Sequence, residues 1–161
     1  MLFRSYRMSN VIAGIGRGQL RVLDQRVAKK RYIYEYYRKA LSGLEGIGFM
    51  PVREWNKPNF WLSCITRTGR MRPLDVMLAL EVENIESRPV WKPMHLQPLL
   101  RQYEYYAHKP QFSVSDQLFA QGLCLPSGSS LSEADQQRVI DCVLRRLGEA
   151  RMTVPGYAAQ A

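Results

Sequence analysis

The sequence predicts one domain of the α/β (α+β) class, a long N-terminal helix followed by a small sheet covered by helices. Three observations carry that expectation. Leu20, Leu23, Val27, Tyr34, Tyr37, Leu41 and Leu44 recur at three- and four-residue spacing, with one missing step at Lys30, which marks an apolar stripe on a helix from about Ser9 to Ser42. Short strand-like and helical segments then alternate between turn signals. A last amphipathic helix carries Val139, Ile140, Val143, Leu144 and Leu147 on one face.

Ser9 is the N-cap candidate of the long helix, and Gly43, Gly46 and Gly48 end it. Gly14, Gly16 and Gly18 fall in its first turns. A nucleotide-binding loop would need a preceding strand and a third glycine where Gln19 stands, so close packing against another element is the expected reason for them. Pro51–Pro58 is a polar connection, Asn59–Thr66 reads as a strand, and Thr68-Gly69-Arg70 turns the chain. Leu74, Met77, Leu78 and Val82 predict a helix over Pro73–Glu83, with Pro73 at a first helical position. A short strand, Ile85–Arg88, enters a loop through Pro98 that holds three prolines, Pro89, Pro93 and Pro98, and bears Trp91, Lys92, His95 and Gln97. Tyr103, Tyr105 and Tyr106 follow on a polar stretch, then a helix over Val114–Gln121 and a buried strand at Gly122–Pro126. Ser130 or Ser132 caps the last helix, Glu133 and Asp135 favour its first turn, and Gly148 stops it.

Composition narrows the function classes. No apolar run approaches the ~20 residues of a membrane span, and the first residues turn polar too soon for a signal peptide, so a cytoplasmic chain is expected. Cys64, Cys124 and Cys142 are odd in number and irregularly spaced, which predicts reduced core thiols rather than a disulfide framework or metal site. His95 and His108 form no local metal motif, and Asp75, Asp116 and Asp135 stand at helix starts. The net charge of +9 suits phosphorylated ligands or nucleic acid, yet the basic residues are spread along the chain, and Lys29-Lys30-Arg31 reads as a solvated helix face. Of the tyrosines beside that cluster, Tyr34 and Tyr37 belong to the apolar stripe, which leaves Tyr32 and Tyr36 to stack on bases.

Three stretches in order resemble the DegT/DnrJ/StrS family of pyridoxal-phosphate-dependent nucleotide-sugar aminotransferases. They are Tyr6-Arg7-Met8-Ser9-Asn10 running on to Leu23-Asp24 and Arg26, Arg88 through Pro98, and Gly122 through Gly128 before the last helix. The second and third look most like the branch acting on UDP-linked 4-keto-6-deoxy sugars for surface glycans. The resemblance implies the C-terminal small domain of a fold-type-I transferase, with a mostly antiparallel sheet, in a homodimer whose active sites are shared between subunits and whose amino donor is glutamate. It divides the chain into a non-family start (1–5), the small domain with its lead-in helix (6–148) and a flexible tail (149–161).

By motif position, Ser5 and Arg7 are the cofactor-binding candidates, and Arg88, Lys92 and His95 the substrate-binding ones. Ser5 stands where the family usually has an asparagine that reaches the partner's cofactor phosphate. Arg88 suits a bidentate phosphate or carboxylate contact, His95 a hydrogen bond to the sugar nucleotide, and Lys92 a point charge. The family's cofactor lysine lies upstream of Tyr6, and Lys29, Lys30, Lys39, Lys57, Lys92 and Lys109 do not match its position. The expectation is therefore a substrate-side part, inactive alone, with no catalytic residue, no covalently held pyridoxal phosphate and no metal. Its expected partners are a second copy or a chain carrying the large domain. The competing expectation is a stand-alone binding module that meets a protein partner, or nucleic acid, through its basic surface.

Overall fold

The computed structural model describes residues 8–148, so the expected start, tail and both cofactor-side candidates, Ser5 and Arg7, lie outside the described residues. The elements run α1 (Asn10–Leu20), α2 (Leu23–Leu41), β1 (Ile47–Phe49), β2 (Ser63–Arg67), α3 (Pro73–Val82), β3 (Arg88–Pro89), α4 (Val114–Gln121), β4 (Gly122–Leu125) and α5 (Glu133–Leu147). Two single 3-10 turns, Met94–Leu96 and Pro98–Leu100, interrupt the proline loop. The four strands form one antiparallel sheet in the order β1-β2-β4-β3. Helix α5 packs beside α2 and α3, and the expected class is the one observed.

The core is built where α2, α5 and one face of the sheet meet. Ile33, Tyr37, Leu41, Ile65, Leu80, Leu123, Ile140, Val143 and Leu144 are its most buried members. Gln136 of α5 is fully buried among them and donates to the Ile33 carbonyl at 2.6 Å. Tyr32 and Tyr36 do not serve as free stacking surfaces. Their hydroxyls donate to Glu133 and Gln137 of α5, and Tyr36 is itself core.

Three local expectations are corrected. The long helix breaks at Arg21–Val22, where Val22 N–H bonds back three residues to Gln19 at 3.2 Å and Val22 takes φ −111°, ψ 5°. No proline or glycine marks that break. It separates α2, which has six buried residues, from α1, which has none. Glycines 14, 16 and 18 accordingly meet no neighbouring atom, and close packing within the described residues is not their reason.

Second, the glycines after α2 lead through a turn into β1, a strand the glycine count hid, with Gly48 opposite Thr66. Third, α3 buries Val76 and Leu80 and leaves Leu74, Leu78 and Val82 exposed, the reverse of the face the spacing selected. A helix apolar on nearly every side gives periodicity nothing to choose between.

The later elements follow local chemistry closely. Asn84 adopts φ 58° just past α3, and Ile85 N–H then closes on the Leu80 carbonyl at 2.9 Å, a left-handed stop that asparagine tolerates. Pro89 lacks an N–H and lies on an edge strand, a sheet position that accepts it. Gly122 opens β4 because a Cβ there would stand 2.4 Å from Val90 Cγ2 and 2.5 Å from the Leu118 carbonyl. Ser132 caps α5, its hydroxyl accepting Asp135 N–H at 3.1 Å. Ser132→Ala is expected to cost about 1 kcal/mol, read as a lower urea midpoint at unchanged slope.

Candidate functional site

Arg88, Lys92 and His95 lie on β3 and the proline loop after it, and a second set of loops is tied to α2. Lys30 is the missing step in the apolar stripe, and its ammonium donates to the carbonyls of Trp61 (3.0 Å) and Ser127. The Ser127 hydroxyl also donates to the Trp61 carbonyl, at 3.4 Å. One partly buried amine thus ties the 59–61 turn to the loop after β4, and partial burial lowers its pKa. Arg31 and Arg26 extend the tie, Arg31 Nε to the Pro58 carbonyl at 3.1 Å and Arg26 to Ser129 Oγ at 3.2 Å. The basic cluster read as a solvated face is therefore in part a loop clamp.

The 59–61 turn replaces the start of the predicted strand. Asn59 Oδ1 accepts Trp61 N–H at 3.1 Å, and Phe60 takes φ 49°, a conformation costly for a side chain of that size. Phe60 is held there by stacking on Tyr34, with ring centroids 3.8 Å apart. Trp61 in turn lies 6.0 Å from Trp91, which links this turn to the proline loop.

Arg88 begins that loop on β3, opposite Cys124 of β4. Its guanidinium is exposed and engages Glu86 through Nε (2.8 Å) and Nη2 (2.6 Å). Lys92 is exposed, while its carbonyl accepts Gln97 Nε2 at 3.1 Å and so stiffens the loop from within. His95 is different, with a side chain only 16% exposed. It stacks on Tyr105 (3.7 Å, 15° between planes), and its Nε2 lies 2.6 Å from Asp116 Oδ1. That contact falls outside hydrogen-bond angles, and neither buried atom has another partner. Tyr105 shares a 3.0 Å hydroxyl contact with Ser113, the cap of α4.

Arg88 and Lys92 thus present charge outward, whereas His95 is fastened to α4. Sequence reading missed Lys30, Tyr105 and the Asp116 contact. The gap in the apolar stripe was the signal for Lys30, because a cation placed on a core-facing step needs buried acceptors. Nothing local marked the other two, since their partners come from separate turns.

Two cavities flank these loops. One of about 430 Å³ lies where Pro126, Ser127 and Gly128 meet Glu86, the ion-pair partner of Arg88. An open cleft of about 710 Å³ includes Arg31, Tyr34, Arg38, Lys57 and Phe60 in its wall, but none of Arg88, Lys92 and His95. The described lysines differ in their surroundings. Lys30 is committed to two carbonyls, Lys29 lies over the Tyr32 ring at 5.1 Å, and Lys39, Lys57, Lys92 and Lys109 are exposed. Among the described residues there is no group of three or more metal-ligating side chains, and no helix is long and apolar enough to cross a membrane.

Comparison with known proteins gives a consistent answer. The sequence profile of the DegT/DnrJ/EryC1/StrS aminotransferase family matches residues 2–144. EpsN of Bacillus subtilis (strain 168), whose name describes a pyridoxal phosphate-dependent aminotransferase, is 46% identical over 140 residues, which is 87% of this chain and 36% of that protein. GDP-perosamine synthase of Vibrio cholerae is 33% identical over 144 residues, 86% of this chain and 37% of that one. The aminotransferase TlmJ from Streptoalloteichus hindustanus shares the fold with a TM-score of 0.76 at 24% identity, over 92% of this chain and 39% of its own. The chain spans little more than a third of the length of the curated relatives it matches.

Proposed function

Because the chain belongs to the DegT/DnrJ/EryC1/StrS aminotransferase family, we propose that it is the C-terminal, substrate-side portion of a pyridoxal-phosphate-dependent sugar aminotransferase. The activity of the whole converts nucleotide-linked 4-keto-6-deoxy sugars to 4-amino sugars. In this reading Ser5 and Arg7 stand on the cofactor side, and Arg88, Lys92 and His95 on the sugar-nucleotide side. The described portion does not transaminate alone, and the pyridoxal phosphate is held by a lysine outside it, in a large domain or a second subunit.

The observation that carries the reading is the identity to EpsN across 87% of the chain. The GDP-perosamine synthases among the relatives support a nucleotide sugar as the substrate class. The exposed apolar faces agree with docking against a large domain. Helix α1 exposes Val11, Ile12, Ile15 and Leu20, and it carries three glycines at about 1 kcal/mol each against alanine without burying one side chain. An isolated helix of that length is marginal, so its stability comes from a surface it meets.

The test is complementation. The chain is mixed with pyridoxal phosphate, glutamate and a UDP-4-keto-6-deoxy sugar, with and without a polypeptide supplying the remainder of Bacillus subtilis EpsN. Amino sugar is expected only with the second polypeptide. Arg88→Ala is expected to weaken sugar-nucleotide binding by about 10–100-fold, the equivalent of one charge-assisted contact. Amino-sugar formation by the chain alone, with cofactor fixed to it by borohydride, would overturn the reading.

A further inference from the structure

We propose that Cys64 and Cys124 form a reversible oxidative modification site, a dithiol that low-molecular-weight disulfides convert into a cross-strand disulfide. The proposal rests on the sheet and on no part of the aminotransferase reading. The two cysteines are direct register partners on the two central strands, β2 and β4, and their sulfurs lie 3.5 Å apart. Opposed residues of antiparallel strands place their Cβ atoms about 4.5–5.5 Å apart on one face, close to what a disulfide spans. Side-chain rotation with a small local approach of the two strands therefore suffices, and neither strand has to shift its register.

The pair sits apart from the main core. Ile65, Leu123 and Leu125 belong to the buried cluster between sheet and helices, whereas Cys64 and Cys124 do not. Cys64 is partly exposed and gives solvent an approach to the pair, while Cys124 is 8% exposed. The third thiol, Cys142, lies inside the core cluster and donates to the Ala79 carbonyl at 3.4 Å. Sulfur-to-sulfur hydrogen bonding also makes one thiolate available. The bond from Cys64 pulls Cys124 down to about 7, and the same bond together with burial pushes Cys64 up.

The chemistry is thiol–disulfide exchange. One thiolate of the pair attacks a sulfur of the reagent disulfide, whose S–S bond breaks and releases a reagent thiolate. The other cysteine loses its proton to solvent and attacks the protein sulfur of the mixed disulfide. A second reagent thiolate leaves, so the pair gives up two electrons and two protons and the reagent disulfide is reduced to two thiols. The product joins chain positions 60 residues apart, and Cys124 is the register partner of Arg88 on its other side. Oxidation would thus fix the strand against which the Arg88 backbone is paired.

The folded full chain is incubated with oxidised glutathione, free thiols are alkylated, and peptides are mapped by mass spectrometry without reduction. The expected product has lost two hydrogens, carries a Cys64–Cys124 linked peptide and reverts with dithiothreitol. Cys142→Ser keeps the link, and Cys64→Ser or Cys124→Ser abolishes it. Separate alkylation or glutathione adducts at Cys64 and Cys124 would overturn the proposal. So would a link involving Cys142, or a link that forms only in urea.

Discussion

Tyr37→Ala is expected to destabilise the chain by about 3–5 kcal/mol, a large share of the 5–15 kcal/mol that holds an ordinary domain together. The ring is fully buried on α2, in the cluster that includes Leu41, Leu123, Leu125 and Val143. Its hydroxyl donates to the Pro126 carbonyl at 2.9 Å, just where β4 passes into the Ser127–Gly128 turn, and burial raises its pKa. Truncation therefore opens a cavity and leaves a partly buried carbonyl without this donor at the same time. Tyr37→Phe separates the two, with an expected cost of about 1 kcal/mol for the hydrogen bond alone. Urea unfolding of the three proteins decides it, and equal losses for Ala and Phe would show that packing of the ring is not what matters.

Lys30→Met carries the second large effect, an expected 1–3 kcal/mol, roughly the range of a hydrogen bond to a charged donor, toward its lower end because the ammonium is only partly buried. Methionine keeps an unbranched apolar stem but removes the ammonium donor from both carbonyls, leaving that of Trp61 with only the 3.4 Å contact from the Ser127 hydroxyl. The loss should be local before it is global. Amide exchange is expected to accelerate around residues 59–62 and 126–130 while α5 stays protected, because among the described residues no other side chain bridges both carbonyls. Lys30→Arg should not restore the clamp, since a planar fork does not reproduce a point donor between two converging carbonyls. Uniform acceleration across the molecule would contradict the local role.

Legibility in the sequence followed how local each determinant is. The start of helix α5 was readable to one of two serines, Ser130 or Ser132, and its end to Gly148, because Ser132, Glu133, Asp135 and Gly148 supply capping chemistry that needs no distant partner. Helix α4 matched for the same reason. The break between α1 and α2 was not readable, since the apolar spacing continues through Arg21 and Val22 and only the lack of packing on α1 distinguishes the halves. In α3 the buried face is chosen by α5 and the sheet rather than by sequence periodicity. For the site, motif order located Arg88 and Lys92 on the exposed loop. The fastening of His95 between Tyr105 and Asp116 was invisible, because those contacts cross turns whose geometry no spacing rule specifies.

Side-chain bonds between α2 and α5 have a kinetic meaning. Tyr32 to Glu133 and Tyr36 to Gln137 each join residues 101 apart, and Gln136 to Ile33 joins residues 103 apart. High sequence separation makes closure slow relative to local helix formation. A chain emerging from the ribosome has α2 complete long before its cover exists, so Ile33, Tyr37 and Leu41 wait uncovered until α5 arrives. During that interval the nascent chain is at its most aggregation-prone. Release of the last helix, rather than formation of the first, sets when this domain becomes safe from its own surface.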